Sequence, residues 1–337
     1  MIAMQRNNKI DVMKGMALYL VVVNHLANYT IGTNIYTQII ALIHLPILFV
    51  ISGYFFNISL KKNNFINILI IKTKRLFIPY LSWSFISLLF SWIINIKEDF
   101  QFLCSQFVEI FIYARSVWFL IILYLVSIFC AIFFQLINKT KRVKIVLFVI
   151  CYIVLCNILP NEILELVRFK NYLPYFVFGL HISEHKELYL KILIKVEKKA
   201  LLLMVLFISG AFLFLHSEQA NYMVDFVVKD EEKYMIIIAY ILTIIGMIIL
   251  AYMSNLRIPN RIKDIFQRMG TYSLDIYVIH MFLVRIIGTL LLKVVNVEIV
   301  RNVLMFILGF AISYIIVILK ERLLNKIKIY KWINGEW

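Results

Sequence analysis

Charge is scarce in this chain. Only 16% of its 337 residues are Asp, Glu, Lys or Arg while 63% are hydrophobic, which excludes an ordinary soluble domain. The four cysteines, Cys104, Cys130, Cys151 and Cys156, lack both C-x-x-C spacing and histidine neighbours. They read as buried free thiols, and no metal site is expected. There is no glycine-rich phosphate loop, no His-Glu-x-x-His element and no serine nucleophile elbow. No repeat of 20 to 50 residues, low-complexity tract or pair of inverted halves is visible in the hydropathy. The N-terminus lacks the small-residue cleavage site of a signal peptide, so its first apolar stretch is expected to remain as a helix. No soluble appendage is expected at either end.

What the chain has in quantity is apolar stretches near twenty residues, the length that crosses a bilayer. They fall at about 12 to 31, 36 to 57, 76 to 95, 117 to 137, 143 to 160, 199 to 216, 234 to 253, 272 to 292 and 300 to 320. A shorter one, at about 172 to 182, crosses with polar flanks or tilt. The segment from Phe100 to Ala114 carries Gln101, Ser105, Gln106 and Glu109 and reads as an outward interfacial helix. The net charge of +16 does not signal a nucleic-acid partner, because the basic residues collect in short loops between these stretches. With ten spans and a cytoplasmic N-terminus, the Lys61 to Arg75, Lys139 to Lys144, Lys186 to Lys199, Arg257 to Arg268 and Lys320 to Lys331 clusters all face inward, while Asp225, Asp230, Glu231 and Glu232 face out. Omitting the short span inverts every later loop. The expected fold is therefore all-α, a polytopic transmembrane bundle of about ten spans with both termini cytoplasmic, and one membrane domain over residues 1–337.

Several polar residues interrupt the apolar background. Lys14 and His25 are eleven positions apart, three helical turns plus about 20°, so they share one face about 16 Å apart. Asp11 lies on the same stripe. Ionisable residues at membrane depth point to function by default, and imidazole suits proton transfer near neutrality. Eleven helical residues are too many for a hydrogen bond, so Asp11 and Lys14 can act on His25 only through a bridging group. The structural alternative for His25 is a ring donating to a neighbouring helix carbonyl. His44 and Ser52 lie about 80° apart around the second span, and Pro46 removes a backbone donor that protein or water must replace in lipid. The alternatives are a polar plug at a kink for His44 and close helix packing for Ser52 and Gly53. Lys72 and Arg75 stand a turn apart where the third span is expected to begin, suited to phosphates or to plain positive-inside anchoring. Ser273, Tyr277 and His280 form one stripe in the ninth span. Asp275 lies off it, near the inward end, where snorkelling or pairing with a loop cation is the simple account. His181, His185 and His216 read as solvated or interfacial.

These pieces resemble a family. Arg6 and the run from Ile10 through Lys14 to Val23-Asn-His25 are similar to the opening of the bacterial membrane acyltransferase-3 family, whose hallmark is Arg or Lys, ten residues, then His; Lys14 is the lysine variant. His44-Leu-Pro46 through Ser52-Gly53-Tyr54, Lys72-Thr-Lys-Arg75 with Pro79-Tyr80, Trp118-Phe119-Leu120, Tyr172-Leu-Pro174 through Gly179, and Gly270-Thr-Tyr272-Ser273-Leu274 through Tyr277 to His280 follow in the family's order, within 6–280. The family commonly has two arginines where this chain has Lys72 and Arg75, which puts bidentate binding at residue 72 in doubt. The resemblance implies transfer of an acetyl group from cytoplasmic acetyl-CoA, the co-substrate, to a hydroxyl of an envelope glycan or lipid-linked sugar in the bacterial inner membrane. It implies His25 as base or acyl carrier with Lys14 and Asp11 in support, Lys72 and Arg75 at the donor's phosphates, and His44, Ser52, Ser273, Tyr277 and His280 toward the acceptor. Membrane lipids are the other expected partners, and a homo-oligomer stays open. The competing class is a transporter or flippase for an anionic or sugar substrate whose buried histidines relay protons.

Overall fold

The computed structural model describes residues 8–32, 35–94, 100–137, 140–160, 163–189, 191, 241, 243–249, 252, 259–295 and 297–336. Among the described residues all regular structure is helical, as a chain in lipid requires when every backbone polar group must find a partner within its own segment. In chain order the helices are α1 (Asn8–Ile31), α2 (Ile35–Lys62), α3 (Phe65–Lys72), α4 (Ile78–Ile94), α5 (Phe100–Phe107), α6 (Trp118–Ala131), α7 (Lys141–Ile158), α8 (Leu166–Glu184), α9 (Asn260–Thr271), α10 (Ser273–Val294), α11 (Glu298–Arg322) and α12 (Lys328–Ile333). A π-helical turn, Thr73–Phe77, joins α3 to α4, and similar turns, Val108–Ile112 and Ile132–Leu136, extend α5 and α6.

Six of the described segments are long and apolar enough to cross a membrane: Asn8–Thr30, Ile40–Lys62, Phe65–Ile93, Trp118–Leu136, Ser273–Val294 and Val303–Lys326. This is a multi-pass membrane protein. The third span begins at Phe65, not near residue 76, because the helix carries its hydrogen bonding through the basic residues instead of stopping at them. The short span expected at 172 to 182 lies within the 19-residue α8. The stretch expected at 143 to 160 forms α7, whose apolar part is shorter than the six spans. The span at 199 to 216, His216 and most of 234 to 253 fall outside the described residues, apart from a helical stretch at 243–249. The expected interfacial segment is helical over α5 and the turn after it, and ends near Ala114, whose φ is +55°.

The chain divides into two compact units, Met1–Ile51 with His185–Leu324, and Ser52–Glu184 with Asn325–Trp337. In the first, α1 packs on α9, α10 and α11. Glycine sets how closely. A Cβ on Gly15 would fall 1.9 Å from the Phe266 carbonyl oxygen, and one on Gly270 would fall 1.9 Å from that of Asp11. Two glycines facing opposite ways thus bring the α1 and α9 backbones together, the small-residue packing that drives helix association where lipid offers no hydrophobic force. In the second unit Gly53 does the same against the Phe176 carbonyl of α8, a close packing of the kind expected at Gly53.

Two of the helix prolines, Pro46 and Pro174, are repaired by side chains. Pro46 leaves the Leu42 carbonyl without its helical donor, and the hydroxyl of buried Thr243 donates to it at 2.9 Å. Pro174 in α8 does the same to Lys170, whose carbonyl accepts from the Tyr152 hydroxyl at 2.8 Å. The repair that lipid demands at each site comes from the protein itself.

Candidate active site

The first unit gathers three histidines. His25 is half-buried on α1, and its ring centroid lies 5.1 Å from that of His280 on α10 with the planes inclined by 47°. His44 on α2 and His280 are both 1% exposed, and each lies within electrostatic reach of His25. The Nδ1 of His280 is 2.9 Å from the Ile276 carbonyl, and the Nδ1 of His44 is 2.6 Å from that of Ile40. A carbonyl only accepts, so in both rings Nδ1 carries the proton and donates. In a neutral ring held this way Nε2 bears the lone pair. Nε2 of His280 is buried and has no hydrogen-bond partner among the described residues. Tyr277 extends this wall, its ring 6.0 Å from that of His280, and Ser273 opens the same helix face, half-buried, at the start of α10. The expected polar stripe of α10 is present.

Asn24 was not singled out by the sequence. It is buried beside His25, and its Oδ1 has no partner among the described residues. An amide at membrane depth next to a histidine was the signal available for it.

Asp11 and Lys14 lie on the same unbroken α1 as His25, about 21 and 16 Å along its axis, so neither makes a direct dyad with it. Asp11 is buried where α1 crosses α9, and Lys14 is half-buried. Close by in the chain order of α10, Asp275 accepts an ion pair from Lys320 of α11 at 3.1 Å, with side chains 4% and 2% exposed. Asp275 does pair with a cation, as expected. Lys320, however, is not the inward loop charge expected from hydropathy: it closes α11 from inside the protein. Asp275 also stands in the first turn of α10, where the helix dipole favours a carboxylate. Next to this pair, both nitrogens of the Arg268 fork, Nε and Nη2, donate to the two carboxylate oxygens of Glu321.

The remaining candidates belong to the second unit. Lys72 ends α3, half-buried, with Nζ 4.9 Å over the Phe56 ring; Arg75 is exposed in the π-helical turn that follows. The two cations do not share one environment. Lys72 is part-sheltered by an aromatic face, and Arg75 presents its fork to solvent. Ser52 is half-buried on the second half of α2. His181 of this unit and His185 of the first are both exposed, in keeping with a solvated or interfacial reading.

The profile of a family described as an acyltransferase domain, acyltransferase-3, matches residues 7–319. No curated protein and no solved structure shows significant similarity to the chain. With a match across nearly all of the membrane-spanning helices, joined to the histidines that those helices converge, the chain belongs to the acyltransferase-3 family and is a membrane acyltransferase.

Proposed function

We propose that the protein is an O-acetyltransferase of the bacterial cytoplasmic membrane that moves an acetyl group from cytoplasmic acetyl-CoA to a hydroxyl of an envelope glycan or its lipid-linked precursor. One observation carries this reading. A half-buried imidazole, His25, lies ring against ring with His280, whose Nε2 is buried and unpartnered among the described residues, within the apolar interior of an acyltransferase-3 chain.

The reaction needs a group that takes the hydroxyl proton as the oxygen attacks the thioester carbonyl. A C–O bond forms, the C–S bond breaks, and the departing thiolate receives the proton that the base has taken. His25 is the base, or the transient acyl carrier if the transfer runs in two steps. His280 and His44, each with Nδ1 committed to a carbonyl, offer Nε2 to an acceptor hydroxyl. Tyr277, Ser273 and Ser52 supply further hydroxyls for a sugar. Lys72 and Arg75 hold the donor's phosphates, Arg75 by a forked pair of hydrogen bonds and Lys72 as a point charge. Lys14 and Asp11 act on the electrostatics of α1 at a distance.

Purified protein in lipid nanodiscs, given acetyl-CoA labelled in the acetyl group and a lipid-linked glycan extract, should yield labelled ester and free coenzyme A in equal amounts. Passage of glycan across a sealed vesicle with no ester formed would instead assign the histidines to transport.

A further inference from the structure

The turn that carries Arg75 is a π-helical one, closed by the N–H of Ile78 on the Thr73 carbonyl. Such turns are rare, appear mostly as single turns inside α-helices, and are frequent at functional sites. Pro79 follows directly and has no N–H, which leaves a carbonyl of the same turn without its helical donor. On one side the turn is tied to α6: the Thr73 and Tyr124 hydroxyls lie 3.3 Å apart, and the Phe77 and Tyr124 ring centroids 5.3 Å apart.

On another side it is covered by the C-terminus of the chain. Gly335 ends the short helix α12 at φ +64°, and its backbone lies so close to Lys74 that a Cβ would fall 1.8 Å from the Lys74 carbonyl oxygen. Asn334 beside it is 1% exposed, and its Oδ1 accepts the indole N–H of Trp83 of α4 at 2.8 Å. Tyr330 packs edge-on against the same indole at 6.3 Å. A buried amide and a buried indole that bond to each other favour one register of docking, because sliding the segment would break this bond. The backbone at Lys74 is thereby covered while Arg75 next to it stays exposed. Lys328 and Lys331 of the same short helix are exposed and add positive charge to the end of the chain that docks there. All of these residues belong to the second unit, and the segment lies beyond residue 319, where the family match ends.

We propose that the C-terminal segment Lys328–Glu336 is a positioning element for donor binding, which clamps the π-helical turn so that Lys72 and Arg75 are held in place for the phosphates of acetyl-CoA. The proposal rests on the reading of Lys72 and Arg75 as the phosphate seat. Asn334 and Gly335 touch no substrate in it; they act through the turn.

The test uses full-length protein purified in detergent. Binding of coenzyme A is measured directly, and ester formation is followed against acetyl-CoA concentration. Asn334→Leu and Gly335→Ala should each weaken coenzyme A binding and raise the KM for acetyl-CoA about tenfold, with kcat within twofold of wild type. Asn334→Asp keeps an acceptor oxygen for the indole and should restore most of the affinity. Should the tail variants fail to accumulate, Trp83→Phe removes the indole donor while leaving the tail sequence intact, and the same loss of affinity is expected. Unchanged binding and KM in folded variants, or a fall in kcat with KM constant, would overturn the proposal. If Arg75→Ala binds coenzyme A as wild type does, the phosphate seat itself is misassigned and the clamp falls with it. If Arg75→Ala loses binding and the tail variants do not, the seat stands and the clamp alone is wrong.

Discussion

The two units of this protein treat charge in opposite ways. In the first, Asp275 and Lys320 are withdrawn from solvent and matched to each other, and His44 and His280 have one nitrogen each committed to a backbone carbonyl. In the second, Arg75 is exposed on a π-helical turn and Lys72 is half-buried with its ammonium over an aromatic ring. A buried, satisfied pair fixes geometry and is unavailable to a ligand; an exposed cation has the reverse properties. Under the proposed function the first unit holds the reacting groups and the second collects the charged co-substrate.

The largest effect that would probe this contrast comes from breaking the buried pair. Lys320→Met removes the ion-pair partner of the buried Asp275 carboxylate and is expected to destabilise the first unit by about 3–5 kcal/mol, seen as lost thermal stability in detergent, whereas Asp275→Leu combined with Lys320→Met should recover most of it. Equal damage from the double and single variants would show that the pair is not what the site depends on. Gly270→Ala comes next. It places a methyl group against the Asp11 carbonyl and forces α1 from α9, at an expected cost of about 1–3 kcal/mol, checked by the same melting measurement. Smaller again is Arg75→Lys, which loses the fork but keeps the charge. It should raise the KM for acetyl-CoA a few-fold, about 1 kcal/mol, without moving the melting temperature. Salt sharpens the same contrast: raising ionic strength should weaken donor affinity at the exposed turn and leave the buried pair's contribution to stability unaltered. A melting temperature that tracked salt as closely as KM does would erase the distinction between the units.

Hydropathy found the spans wherever no cluster of charges interrupts the middle of a helix, as in α1, α6, α10 and α11. It misplaced the start of the third span because Lys72, Lys74 and Arg75 interrupt the apolar run, while the backbone ladder passes through them with one π-helical turn. The residue types of the site were legible, since a histidine in a span is costly and stands out. Their convergence was not. The contact of His25 with His280 joins residues far apart in sequence on different helices, and nothing in either local pattern specifies the partner. The same holds for Lys320, which hydropathy counts among loop charges because its interior position follows from Asp275 alone. Thr243 is a further case. Pro46 announced that a carbonyl would need a donor, but only the packing of distant helices says which hydroxyl provides it.

Under the proposed function this chain esterifies an envelope glycan through His25. That proposal is tested most directly by mass spectrometry of envelope glycans from cells carrying the wild-type chain, no chain, or His25→Ala at equal membrane abundance. An acetyl-sized mass is expected with the wild type, absent without the chain, and lowered about 10²–10⁴-fold in His25→Ala. The same acetyl ester in cells lacking the chain, or at wild-type level with His25→Ala, would contradict the proposal.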